Sequence, residues 1–192
     1  MDLLQNLKRD ETSHISNSIT VDHGMAGRGL FANKTIREND LVMRIPLDQM
    51  INADYIIKSF DLAYPKWTQM QLDSYSMFAL FIALELRKGD ASEFSTYLKS
   101  FPSSFDLVLT NWPDDYDQFL MKHVLESKQR LKRRFAARYQ KINDYYNKDH
   151  KMTWIREEEF RHAFSVVKTR AMEWPYGAQS KKAKKIQLNS DV

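Results

Sequence analysis

Ala26-Gly27-Arg28-Gly29-Leu30-Phe31-Ala32 decides how the chain begins to fold. With Gly24 just before it, the segment gathers three of the five glycines within six positions. Glycine serves where the backbone needs positive φ or close approach. Ile19-Thr20-Val21 on one side and Leu30-Phe31-Ala32 on the other carry β signals. The stretch therefore predicts strand, glycine turn, strand. A dinucleotide fingerprint requires a helix after its glycines. A strand signal follows here, which argues against that reading although Ala32 stands at an allowed third position. Taken alone, the segment is a tight β-turn.

Working outward, Asp40 to Ile45 alternates, with Leu41, Met43 and Ile45 on one side and Val42 and Arg44 on the other. That pattern predicts a half-buried strand, ended by Pro46, which has no N–H for a ladder. Residues 1–18 are polar and form an N-terminal arm. After residue 50 the period changes. Tyr75, Phe78, Ala79, Ile82 and Leu86 recur at helical spacing while Leu80, Phe81, Ala83 and Leu84 fill the other faces. The result is a helix buried on most sides, stopped at Gly89-Asp90. Phe94 to Phe101 suggests a short helix. Pro113-Asp114-Asp115 opens a long one, whose apolar stripe is Leu120, Val124, Leu131, Phe135, Tyr139, Ile142 and Tyr146. The last helix starts near Glu157 and presents Phe160, Ala163, Phe164, Val167 and Ala171 on one face. Glu157-Glu158-Glu159 stands in its first turn and Lys168 and Arg170 in its last, as the helix dipole favours.

Composition narrows the function. At 192 residues and 43% apolar, with eleven Phe, nine Tyr and four Trp, the chain can build one globular core. No cysteine is present, which removes disulfides and thiolate metal sites. The longest apolar run, Met77 to Leu84, is far below the roughly 20 residues of a membrane span. The N-terminus lacks the layout of a secretory signal. A chain without membrane contact, cytoplasmic or nuclear, is expected. Net charge is +4, and no acid lies between Glu126 and Asp144, a stretch holding Lys128, Arg130, Lys132, Arg133, Arg134, Arg138 and Lys141. Lys181, Lys182, Lys184 and Lys185 form a second basic cluster. Such runs are most simply a solvated helix face and a basic tail, or else a surface for an acidic partner.

His14, His23, His123, His150 and His162 show no metal-ligand spacing, and neither a nucleophile elbow nor a Walker loop occurs. Arg170 has two readings. It caps a helix dipole in solvent, or its planar guanidinium clamps a carboxylate.

In combination these segments resemble the SET-domain methyltransferases typified by the Rubisco large-subunit lysine methyltransferase and the actin histidine methyltransferase. Gly27-Arg28-Gly29-Leu30-Phe31-Ala32, then Ile36-x-x-Asn39-Asp40-Leu41 and Ile45-Pro46, resemble the opening of that class. Ala79-Leu80-Phe81, Tyr97, Phe101-Pro102 and Asp106 resemble its helical insert, and Phe160-x-x-Ala163-Phe164-Ser165-Val166-Val167-x-Thr169-Arg170-Ala171 its arginine-bearing helix. The resemblance covers about residues 21–172. It implies an α+β fold, an incomplete SET β-fold with a large all-helical insertion. The divisions would be an arm at 1–18, SET segments at 19–50 and 153–192, the latter with a basic tail, and the insertion at 51–152.

The resemblance further implies S-adenosylmethionine held by the backbone around Ala26, Gly27, Arg28 and Gly29, with Arg170 on its carboxylate. The implied activity is methyl transfer to a protein substrate, on lysine first and histidine second, with nucleic acid the less favoured partner. An Asp-x-x-Asn-His segment and a later catalytic tyrosine belong to the class and are not found. Tyr176-Gly177 follows the arginine helix too closely to be that tyrosine, and His162 stands where an aromatic is usual. The expectation is a truncated form, partial or inactive, with no catalytic residue assigned and with exposed sheet edges. The alternative is a non-catalytic, SET-derived interaction module that uses its basic helical face.

Overall fold

The computed structural model describes residues 12–25, 27–64, 66–148 and 154–172. They form a helix-rich α+β arrangement with two small antiparallel sheets. The strands are β1 (His14–Ile15), β2 (Ile19–Gly24), β3 (Gly27–Ala32) and β4 (Met43–Arg44). The helices are α1 (Ala53–Ala63), α2 (Ser74–Lys88), α3 (Ser95–Leu98), α4 (Lys122–Lys148) and α5 (Glu157–Arg170). Short 3₁₀ turns link them, among them Leu109–Asn111 and Asp114–Phe119.

The glycine segment folds as a hairpin. β2 pairs with β3 from Ile19↔Ala32 to Gly24↔Gly27. The second sheet is smaller than the alternation suggests. Of Asp40 to Ile45 only Met43 and Arg44 are ladder residues, because their partner β1 is two residues long. Ser16 N–H extends the contact to the Val42 carbonyl at 2.9 Å. Among the described residues, each sheet has two strands and both outer edges open.

Helix α2 forms the centre. Its N-cap Asp73 accepts the Ser76 N–H at 2.8 Å, and Gly89 at φ +56° ends it. Met77 and every residue from Ala79 to Glu85 are buried, so neighbours must cover it on all sides. On one side Phe81 meets Tyr55 of α1 and Phe94 edge-on, with ring centroids 5.8 and 5.9 Å apart. On another lies α5, which buries Phe160, Ala163, Phe164, Val166 and Val167. Arg87 in the last turn of α2 grips Glu159 in the first turn of α5 through two bonds of 2.9 and 3.0 Å. Lys168 at the far end of α5 lies 3.9 Å from the ring centroid of Tyr75 at the start of α2. The two helices therefore run antiparallel.

Helix α4 closes the core. Phe135 stacks on Phe160 at 5.5 Å, and the Tyr139 hydroxyl donates to the Ile155 carbonyl at 2.9 Å. Arg138 of α4 pairs at 2.5 Å with Asp73, the residue that caps α2. The long helix begins later than Pro113 suggests. Residues 114–119 form a 3₁₀ turn, and Leu120 is extended before α4 starts at Lys122. In a 3₁₀ turn side chains three apart eclipse, so Asp114 and Asp117 converge on one cation, Lys128.

Lys128 corrects the reading of the basic run as a solvated face. Its side chain is fully covered, and its ammonium donates to Asp117 and to the Pro113 carbonyl. Burial pulls its pKa down, but its hydrogen bonds to Asp117 and Asp114 outweigh that and leave it raised. The Lys181–Lys185 cluster, Tyr176-Gly177 and most of the arm lie outside the described residues.

Two tests follow from this packing. Leu80→Ala, at a site with no exposure, should cost about 3 kcal/mol, read as a lower urea midpoint with the same slope. For Glu159, burial alone would raise the pKa, but Arg87 and the Arg156 N–H hold it at about 2 against an ordinary 4.5. A carboxylate depressed in the fold stabilises it fully above its unfolded pKa and loses that contribution as pH falls through the folded value. The contribution should therefore disappear between about 4.5 and about 2. Glu159→Gln should remove that part of the acid dependence in urea titrations across this range.

Candidate functional site

The site is built from three pieces: the β2–β3 turn, the end of α5, and the short turn around α3. Ala26 lies outside the described residues. Gly27 sits at φ +91°, with no atom within 4 Å of the place a Cβ would occupy. Its backbone is open to close approach, and its conformation is one that L side chains rarely adopt. Gly24 and Gly29 have another role. A Cβ would meet the Phe31 ring at 2.7 Å from Gly24 and at 3.5 Å from Gly29, so the ring of Phe31 lies over that end of the hairpin.

Arg28 leaves the hairpin and donates through Nη2 to the main-chain carbonyl of Ser100, 72 residues away. This joins the glycine turn to the segment that follows α3. Ser100 in turn donates from its hydroxyl to the Tyr97 carbonyl at 2.6 Å. The ring of Tyr97 packs edge-on against Phe101, with centroids 4.8 Å apart. Burial pushes the Tyr97 phenol above its ordinary pKa, and the positive charge of Arg170 pulls it back. Arg170 is thus close enough to act on Tyr97. The glycine turn thus touches residue 100, and the charge of Arg170, far away in sequence, bears on Tyr97 in the same turn.

Arg170 ends α5 exposed, and among the described residues it takes part in no hydrogen bond or ion pair. Thr169 turns its hydroxyl back to the Ser165 carbonyl at 2.7 Å, so it does not compete for ligands. An unpaired guanidinium suits a carboxylate, which its planar fork can bind bidentately. No cluster of three His, Asp or Glu suited to a metal occurs among the described residues. Likewise, no helix among them is long and apolar enough to cross a membrane.

Two clefts lie elsewhere. One of about 460 Å³ runs between the 109–114 segment, α4 and α5, over Phe135 with Asp114, Lys132, Glu157 and Arg161 at its walls. Another of about 380 Å³ lies over Ala83 and Leu86, beside Glu159 and His162. Neither is lined by Gly27, Arg28, Gly29 or Arg170. His162 packs its ring edge-on against Phe105 at 5.3 Å, and burial lowers its pKa, so the imidazole serves as an aromatic contact.

Sequence reasoning gave Ser100 no role and tied Tyr97 only to the family signature. Ser100 offers a main-chain carbonyl, which any residue supplies, so its identity carried no signal. Tyr97 became relevant only because the charge of Arg170 bears on its phenol. Compared with models of protein families, with curated proteins and with solved structures, the chain matches none.

The glycine geometry separates two substitutions. Gly27→Ala should cost about 1 kcal/mol through the left-handed backbone, while Gly29→Ala, in ordinary contact with Phe31, should cost less. Faster amide exchange across β2 and β3 in Gly27→Ala than in Gly29→Ala would show it.

Proposed function

We propose that the chain binds S-adenosylmethionine in the manner of SET-domain protein methyltransferases, as part of a system that methylates lysine on a protein substrate. One observation carries the reading. Arg28 beside the glycine turn donates to the Ser100 carbonyl, and the charge of Arg170 at the end of α5 bears on Tyr97, so the two segments that resemble the cofactor walls of that family are both directed at the residue 97–100 turn. The β-rich start, the helices between residues 53 and 148 and the returning α5 are consistent with an incomplete SET fold carrying a helical insertion.

In this reading each residue has a physical task. Arg170 offers a planar fork of donors to the cofactor carboxylate, a charge-assisted and geometrically selective contact. Gly27 leaves the backbone bare, so a ligand can approach within hydrogen-bond range. Arg28 fixes the turn against Ser100 and holds that backbone in register with Arg170. The Tyr97 ring forms a wall near the guanidinium. The cofactor, when bound, supplies a sulfonium methyl group to a neutral amine. No side chain among the described residues is assigned to proton transfer, so the proposal covers cofactor binding by this chain and leaves the transfer step unassigned.

Titration calorimetry with S-adenosylmethionine tests it. Binding is expected, and Arg170→Ala should weaken it about tenfold or more, the effect of losing a charge-assisted pair. Arg170→Lys should recover only part, since lysine lacks the fork. No heat of binding at saturating cofactor would overturn the reading, and unchanged affinity in Arg170→Ala would remove Arg170 from the site.

A further inference from the structure

The cations of α4 between Lys128 and Lys141 divide into two sets. Those turned toward the body are all engaged. Lys128 meets Asp114 and Asp117, Lys132 meets Asp114, Arg138 meets Asp73 at 2.5 Å, and Lys141 donates to the Gln71 carbonyl at 3.0 Å. Arg130, Arg133 and Arg134 are exposed and, among the described residues, take part in no hydrogen bond or ion pair. Residues three and four apart on a helix are neighbours, so these arginines form one patch. Like charges at that spacing destabilise a helix by a few tenths of a kcal/mol per pair, and no acid lies within four residues of Arg133 or Arg134.

We propose that this arginine ridge docks an acidic protein segment, one carrying carboxylates at helical i, i+3, i+4 spacing. Three features favour that occupant. Guanidinium forks match carboxylates bidentately, and arginine is enriched among the residues that dominate protein interfaces. The ridge is short and bracketed, with exposed Glu126 one turn before Arg130 and exposed Asp144 beyond Lys141. A nucleic-acid backbone running along α4 would bring phosphates onto both acids. Finally, the helix turns its aromatics inward. Phe135 and Tyr145 are buried, Tyr139 is bonded to the Ile155 carbonyl, and half-buried Tyr146 packs on Trp154, so no ring of α4 stands exposed for base stacking. This surface is separate from the cofactor residues and does not rest on the cofactor reading.

Fluorescence anisotropy on the full chain tests it. The probe is a labelled helical peptide with glutamates at i, i+3, i+4, compared with a DNA duplex of similar charge. The peptide should bind more tightly than the duplex. Arg130→Ser, Arg133→Ser and Arg134→Ser together should weaken peptide binding about tenfold or more, as loss of close charge pairs does. A control with Lys34→Ser, Lys58→Ser and Lys66→Ser removes the same charge from exposed lysines elsewhere and should leave most of the affinity. Circular dichroism of the ridge variant should match the parent, and lost helicity would overturn the premise that these arginines hold nothing in the fold. Tighter duplex binding, no peptide binding, or equal losses in both variants would overturn the proposal. Unchanged peptide affinity in Arg170→Ala would confirm that the surface is independent of the cofactor site.

Discussion

Helix α2 has no face suited to water, and the rest of the molecule answers that constraint. A segment buried from Ala79 through Glu85 must be enclosed, because each large apolar side chain left in water forgoes about 2 kcal/mol. Helix α5 lies along it antiparallel, α1 and Phe94 cover another side, and α4 locks α5 through Phe135 and Phe160. The charges at the ends, Arg87 with Glu159 and Asp73 with Arg138, set where α5 and α4 lie along α2. They orient a packing that burial drives.

The candidate site depends on the same arrangement. Arg170 stands where it does because α5 is held against α2 over its whole length. The glycine hairpin, whose Val21, Leu30 and Phe31 are exposed, reaches the helices through Arg28 on a carbonyl. A two-stranded hairpin is marginal alone, so this tether and the turn at residues 97–100 matter more to the site than the hairpin's own ladder. α4 applies another rule. Its inward cations find carboxylates or carbonyls, Lys128 above all, while three arginines stay in water.

Much of this was legible in the sequence. The glycine cluster between β signals marked the β2–β3 hairpin, the all-round apolar run marked α2, and the acid-to-base polarity of residues 157–170 marked α5. These features depend on local periodicity, turn chemistry and the helix dipole, which operate within a few residues. The strand at 40–45 was over-read because alternation shows which residues could pair and not how long the partner is. The start of α4 was misplaced because Asp114 and Asp117 serve a cation more than ten residues on, and that demand bends the local backbone.

The sequence by itself determined the kinds of element, the absence of thiol chemistry, and the two segments that a cofactor reading needs. Only the tertiary structure decided that Arg28 and the charge of Arg170 bear on one turn, that the Lys128 side chain is covered, and which arginines of the basic run stay unpaired. The physical reason is range. Propensity and periodicity are properties of neighbouring residues, whereas pairing, burial and charge compensation belong to residues brought together from distant parts of the chain.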